Sequence, residues 1–408
     1  MSAVSFYNLN EIPEFREIMK GDKQDKLLNI NTIELNGYTY KVVTYDKAIL
    51  CIDYISSYGL CRSIILNSNN KIISFAPPKS MPSDTFLNKY YEGDKRISAS
   101  EFVEGTMINV FWNKDIGLSG DWEITTRNTV GANSSFYKAP QNSKTFKEMF
   151  LEACKESNLL LNQLNTSYNY SFVLQHPDNR IVVPFKTPAL YLIAVYYICQ
   201  SEDIVYSIDI TDVKCCDWKT TNVQFPKKYE FDSYDELIEK YASMNTSYDI
   251  MGVVICNNET GERTKIRNPV YEQVRHLKGN QPKLQYQYLF LRKEGKVADF
   301  LKFYPENKRH FSKFRDDVHK FTDTLYSNYV ACYIKKTKPL IEYPQQYRKH
   351  MYNIHQTYMN EFREKKMAVT NTVVINYVNQ LHPSLLMYCL NYNMRKKQID
   401  INVVEHTL

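Results

Sequence analysis

Lys265 and Arg267 stand two apart in Arg263-Thr-Lys-Ile-Arg267, so an extended chain puts both cations on one face, where they can neutralise phosphate. Charged residues on any solvated strand alternate in the same way. The wider charge distribution points to an anionic partner. From Arg263 to Leu408 there are 26 lysines and arginines against 12 acids, and before Arg263 there are 25 against 33. A basic C-terminal segment on an acidic body suits a polyanion there, although a lysine-rich solvated helical surface has the same surplus. Within that segment, Tyr271 to Tyr288 interleaves cations with tyrosines and amides. The mixture suits single-stranded or folded RNA, and equally the solvent face of a helix. Arg292-Lys293, Lys308-Arg309, Lys335-Lys336 and Arg395-Lys396-Lys397 are further cationic spots.

Two other groups have chemistry to offer. His176, beside Pro177, is able to act as acid or base near neutral pH, but a lone histidine at a turn is more often a surface residue. Glu104 precedes Gly105 at an expected turn between strands, a pairing that ordinary hairpins also contain. No glycine-rich phosphate loop, H-E-x-x-H or G-x-S-x-G motif occurs. The nine cysteines include no C-x-x-C pair, which disfavours a zinc site or a disulfide framework and suits a reducing cytoplasm. No set of residues is assigned to a metal.

The elements that would position these groups follow from periodicity. With 408 residues, 43% of them hydrophobic, and a mean hydropathy of −0.47, the chain has core material for two or three domains. Most of the 33 tyrosines and 20 phenylalanines are expected in cores. Ser100-Glu-Phe-Val-Glu-Gly-Thr-Met-Ile-Asn-Val-Phe-Trp112 reads as a central hairpin turning at Glu104-Gly105, with Met107, Asn109 and Phe111 on one face and Ile108, Val110 and Trp112 on the other. Hairpins are expected over residues 62–75 and 252–267, and helices over 11–19, 146–164 and 232–243. A strand is expected from Tyr170, a turn at Pro177-Asp178-Asn179, then a strand from Arg180 running on toward Ile198. Past Pro269 strands give way to helical spacing, as in Phe311, Phe314, Val318, Phe321 and Leu325. The expected class is α+β: an antiparallel-sheet domain over 1–270 and a basic all-helical domain over 271–408. No apolar run approaches the roughly 20 residues that span a bilayer, and the N-terminus lacks the order of a signal peptide.

Six short stretches, in this order, resemble the phage-type ATP-dependent RNA ligases of the covalent nucleotidyltransferase superfamily, over residues 58–267. That family attacks the α-phosphate of ATP with the lysine of a K-x-D-G motif. The matching tetrapeptide here is Phe102-Val103-Glu104-Gly105, with phenylalanine in the nucleophile slot. The family's phosphate-binding cations are matched by Arg62, by Lys79 in a proline-containing loop, by Arg180 in Pro177-Asp-Asn-Arg-Ile-Val182, and by Lys265 and Arg267 in Lys-Ile-Arg. Two of its glutamates fall at Val173 and Met251. Cations match and acids do not, leaving Glu104 as the one evident Mg²⁺ ligand.

The resemblance therefore implies an RNA-ligase-like nucleotidyltransferase domain that binds RNA ends or structured RNA, with transfer RNA among the candidates. Phosphate or nucleotide would be held by Arg62, Lys79, Glu104, Arg180, Lys265 and Arg267. ATP or another nucleotide is the implied cofactor, with Mg²⁺ left open, and lysine adenylation is expected to be lost. One alternative is an active end-joining ligase with an unusual nucleophile, for which Lys79 is the nearest lysine and Glu104 the nearest carboxylate. Another is a virion scaffold that reuses the fold. The Asn-, Lys-, Tyr- and Ile-rich composition suggests a large-DNA-virus source, acting in host cytoplasm or virion.

Overall fold

A computed structural model describes residues 3–21, 27–135, 144–212 and 214–395. The chain divides into two compact units, Met1–Arg275 and His276–Leu408.

The first unit is built on a six-stranded antiparallel sheet, in spatial order Ala3–Asn8, Ile204–Ile208, Ala189–Cys199, Tyr168–Gln175, Thr106–Asn113 and Asp121–Thr125. Its strand Tyr168–Gln175 is buried on both sides, with Tyr168, Tyr170, Phe172 and Leu174 on one face and Asn169, Ser171 and Val173 on the other, because both sheet faces are covered. On one side, Met149, Phe150 and Ala153 of the helix Phe146–Glu156 pack on Ile108, Val110 and Phe172. On the other lies a four-stranded sheet, Leu28–Leu35, Tyr38–Tyr45, Ile64–Leu66 and Ile72–Phe75. There Tyr40, Val42 and Ile65 meet Phe111 and Val130. The expected alternation of Ile108 and Val110 against Phe111 thus reflects two separate cores.

A second four-stranded sheet, Lys228–Tyr229, Ile97–Glu101, Gly252–Asn257 and Arg263–Arg267, packs on two helices, Ser83–Lys89 and Tyr234–Tyr241, through Phe86, Leu237, Val253 and Ile255. Ser233 caps the latter helix, its hydroxyl accepting the Glu236 N–H at 3.2 Å. The hairpin expected over 252–267 is present.

The central hairpin is not. Ile97–Glu101 pairs with Gly252–Asn257, whereas Thr106–Asn113 pairs with Tyr168–Gln175 and Asp121–Thr125, so Phe102–Gly105 is a crossover between two sheets. Alternation within each strand fixes its faces but not its partner, and both partners come from distant sequence. Gly105 makes the crossing possible. Its φ is +150°, and a Cβ there would sit 2.4 Å from the Leu174 carbonyl oxygen. The strand expected from Arg180 is also absent until Ala189, because the amides of Val182 and Val183 donate to the Glu104 carboxylate instead of to a neighbouring strand. The helix expected over 146–164 stops at Glu156, where Asn158 adopts φ +52°, and Leu161–Gln163 forms a separate 3-10 turn.

The second unit is helical throughout its described residues. Its longest helix, Lys308–Tyr329, buries Phe311, Val318, Phe321 and Leu325 at the expected spacing. Pro344 and Pro383 sit at the starts of the helices Gln345–Thr357 and Pro383–Leu390. Among the described residues, no helix is long and apolar enough to cross a membrane.

Because position 105 combines a positive φ with close backbone approach, Gly105→Ala should lower the free energy of unfolding by about 3 kcal/mol. Urea denaturation would show this as a fall in midpoint at unchanged m-value.

Candidate functional site

Phe102 begins where the Ile97–Glu101 strand ends. Its N–H donates to the Gly252 carbonyl at 3.2 Å, and Gly252 is in register with Arg267. The ring is half-buried beside the Arg263–Arg267 edge strand, with Lys265 Nζ 4.8 Å and Arg267 Cζ 5.7 Å from its centroid. Alternation explains the rest of that strand. Thr264 is buried on the opposite face and its hydroxyl donates to the Met81 carbonyl at 3.0 Å, while Arg263 shares the face of Lys265 and Arg267. Arg263 is anchored by an Nη2 hydrogen bond to the Pro78 carbonyl at 2.8 Å, and its buried Nε has no acceptor among the described residues.

Two more basic residues lie beside the Pro77-Pro78 loop. Arg62 Nη1 lies 3.5 Å from the Pro77 carbonyl, and the Lys79 backbone N–H donates to the Gly59 carbonyl at 2.9 Å with its side chain exposed. Arg127 adds a sixth charge nearby, stacked 5.0 Å above the Tyr45 ring with its Nε 3.4 Å from the Arg62 carbonyl.

These cations act on one another. Burial and then the charges of Arg263, Arg62, Arg267 and Lys79 pull the Lys265 ammonium down to about 6. Burial and the Arg263 charge pull Arg62 down to about 10, and Lys79 is lowered by burial and by Arg62. Arg267 meets Glu272 at 3.4 Å. Among the described residues, no carboxylate reaches Arg62, Lys79, Arg263 or Lys265 within ion-pair distance.

Of the six residues expected to hold phosphate, Arg62, Lys79, Lys265 and Arg267 therefore share one neighbourhood. Arg180 is not among the charges that act on Lys265, and its Nε donates to the Val182 carbonyl at 2.9 Å. Glu104 is a latch: 5% exposed, its carboxylate accepts the Val182 N–H at 2.8 Å and the Val183 N–H at 3.1 and 3.2 Å. It also faces the buried phenol of Tyr271, whose pKa burial and this carboxylate push up. A carboxylate committed to two backbone amides is poorly placed to hold Mg²⁺ or act as a base, and Val173 and Met251 supply no replacement. The residues present do not fit a protein-held Mg²⁺ of the ligase type, and no group of three or more potential metal ligands occurs among the described residues.

Sequence reasoning missed Arg263 and Arg127. The period-two signal that paired Lys265 with Arg267 extends back to Arg263. Arg127 follows the Asp121–Thr125 strand and left no comparable signal. His176 is no surface residue: it is 2% exposed, its Nδ1 accepts the Asp178 N–H at 3.1 Å and its Nε2 lies 3.0 Å from Glu152. With Nδ1 accepting, Nε2 bears the proton, and the ring is engaged on both sides. In the stretch from Tyr271 to Tyr288, both end tyrosines are buried in their own units, and Arg275 pairs with Glu272 at 2.5 Å. Lys335 and Lys336 are exposed, and Lys396 and Lys397 lie outside the described residues.

Comparison with known proteins bears on this geometry. The chain is 25% identical over 261 residues to an RNA ligase of Rhodothermus phage RM378, covering 55% of this chain and 57% of that protein. Over that span it resembles this phage RNA ligase. A second relative, an immediate-early protein ICP-46 homolog of Invertebrate iridescent virus 6, is 23% identical over 393 residues, covering 87% of this chain and 81% of that protein. No family model matches. Among solved structures, an archaeal ATP-dependent RNA ligase aligns at 10% identity and a TM-score of 0.41 over 74% of this chain and 75% of its own. A Naegleria gruberi RNA ligase solved with ATP and Mn aligns at 11% identity and a TM-score of 0.34 over 61% and 76%. The chain thus spans a little over half of the phage ligase, and the antiparallel α+β body followed by helices matches the class read from the sequence.

The depressed Lys265 pKa has a thermodynamic signature. Between about 6 and the ordinary 10.5, the unfolded chain holds a proton that the folded chain lacks, so stability rises with pH across that window and is lost as pH falls toward 6. Lys265→Met removes this ionisation and should raise unfolding free energy at pH 7 by on the order of 2 kcal/mol. It should also flatten the rise in stability between pH 6 and the ordinary lysine range, as read by urea denaturation at stepped pH.

Proposed function

We propose that the chain is an RNA-ligase-like protein whose cation cluster of Arg62, Lys79, Arg263, Lys265 and Arg267 binds the phosphates of a nucleotide and of an RNA end, and that lysine adenylation at the ligase slot is lost. The observation that carries this is the ring of Phe102 under Lys265 and Arg267, in a neighbourhood where four cations have no carboxylate partner among the described residues. Cations held together without acids repel one another, and a phosphate relieves that repulsion more than any neutral ligand does. An aryl ring at position 102 has no lone pair for phosphorus, so no phosphoramidate forms there. Any Mg²⁺ enters on the phosphates of the nucleotide, since the carboxylates that would hold it are replaced or tied to backbone.

RNA is the favoured macromolecular partner, with a structured species such as transfer RNA one candidate and a host cytoplasm the compartment that free thiols suit. A scaffold role without RNA affinity is the rival reading, and salt separates the two.

Filter binding of a 5′-phosphorylated single-stranded RNA should weaken steeply with salt. Arg62→Ala combined with Arg267→Ala should shallow the slope of log K against log salt by roughly 1.4, about 0.7 for each phosphate that is no longer neutralised. A salt-independent or undetectable affinity in the unaltered protein would favour the scaffold.

A further inference from the structure

We propose that Lys265 is itself a nucleophile, forming a covalent phosphoramidate with the α-phosphate of a nucleoside triphosphate bound in the cluster. The inference rests on the phosphate-binding reading above and adds a reaction to it. It gives position 265 the covalent role that position 102 has lost.

Geometry singles out this lysine. Its Nζ lies 4.8 Å from the centroid of the Phe102 ring, the side chain that occupies the ligase lysine's place. The crossover fixes that backbone, through the Phe102 N–H on Gly252 and the Glu104 latch, and the strand Arg263–Arg267 fixes the other side. Arg263 and Arg267 flank Lys265 on its own strand face, and Arg62 approaches from the turn before the Ile64–Leu66 strand, its Nη1 3.5 Å from the Pro77 carbonyl. A triphosphate drawn in by these guanidiniums would present its phosphorus atoms to an amine already among them. Lys79, the other lysine of the cluster, projects from an exposed loop position.

The chemical state fits the geometry. A lysine is a weak nucleophile while protonated, and neighbouring cations together with desolvation are a known means of keeping it neutral. Lys265 has both influences, with its ammonium lowered to about 6, so the free amine predominates at neutral pH. Guanidiniums flank it on either side and can hold the pentavalent phosphorus and the departing phosphates.

The step balances without a further reagent. The Nζ lone pair forms a bond to Pα of ATP, and the bond from Pα to the oxygen bridging Pβ breaks. Pyrophosphate leaves with that electron pair, and the nitrogen releases one proton to solvent. The products are an Nζ-linked AMP and pyrophosphate, and an RNA 5′-phosphate is the chemical class that would accept the AMP.

The test incubates the full chain with ATP labelled at the α-phosphate and Mg²⁺, then separates protein under denaturing conditions. The expected result is a labelled band, stable to alkali and lost in acid as a phosphoramidate is, with the mass of one AMP on the peptide containing Lys265. Labelling should rise with pH through about 6 and then level, where an ordinary lysine would continue to gain toward 10.5. Lys265→Arg places a guanidinium at this point and is expected to bind labelled nucleotide on a filter while losing at least about a hundredfold of covalent label. Filter-bound ATP with no covalent label in the unaltered protein would overturn the nucleophile and leave the phosphate site standing. A label that persists in Lys265→Arg, or maps to another residue, would also overturn it. Absence of filter-bound ATP and RNA alike would overturn the phosphate-binding reading instead.

Discussion

Crowding of Arg62, Lys79, Arg263 and Arg267 around Lys265, whose ammonium their charges and burial disfavour, is the constraint under which the cluster is built. Like charges close together in a partly desolvated place lower stability, and the fold has to hold them there against that force. It does so with backbone. Three of the basic residues ride on one edge strand locked by its register to Gly252–Asn257, Lys79 follows Pro77 and Pro78, and Arg62 enters from the turn before the Ile64–Leu66 strand. The carbonyls of Pro77 and Pro78 accept from the two arginines, giving neutral partners where acids would cancel the charge. The arrangement keeps a positive potential available to a ligand, which is how binding sites and stability commonly come into conflict.

The Phe102–Gly105 crossover connects that electrostatic arrangement to the rest of the body. Gly105 lets the chain pass against the Leu174 backbone, and Glu104 satisfies the amides of Val182 and Val183 that no strand partner reaches. Buried amides left without acceptors destabilise by about 1–3 kcal/mol each, so this carboxylate has a structural task independent of any ligand. The two sheets are thereby tied at the residue next to the cluster, and the cluster inherits their rigidity.

Much of this was legible in the chain. Period-two alternation gave the Gly252–Asn257 and Arg263–Arg267 hairpin, the two faces of Thr106–Asn113 and the shared face of Lys265 and Arg267. Helical spacing gave the buried stripe of Lys308–Tyr329. What failed was partner choice. A strand that alternates well around Glu104-Gly105 looks like half of a hairpin, and only long-range pairing with Tyr168–Gln175 shows otherwise. Single side chains were misread for a related reason: Glu104 and His176 are engaged by backbone groups brought close by tertiary structure, and Tyr271 and Tyr288 belong to cores. Arg127 reaches the cluster from a different sheet, and nothing local announces it.

Among the described residues, Phe102 stands apart from the hydrophobic cores on either side of it. It projects from the first step of a crossover whose shape is set by its neighbours on both sides. Its half-buried ring lies beside Lys265 and Arg267, so a change of side chain there reaches the basic cluster before it reaches a hydrophobic core. The backbone bonds on either side hold the chain's path whatever that side chain offers to a ligand.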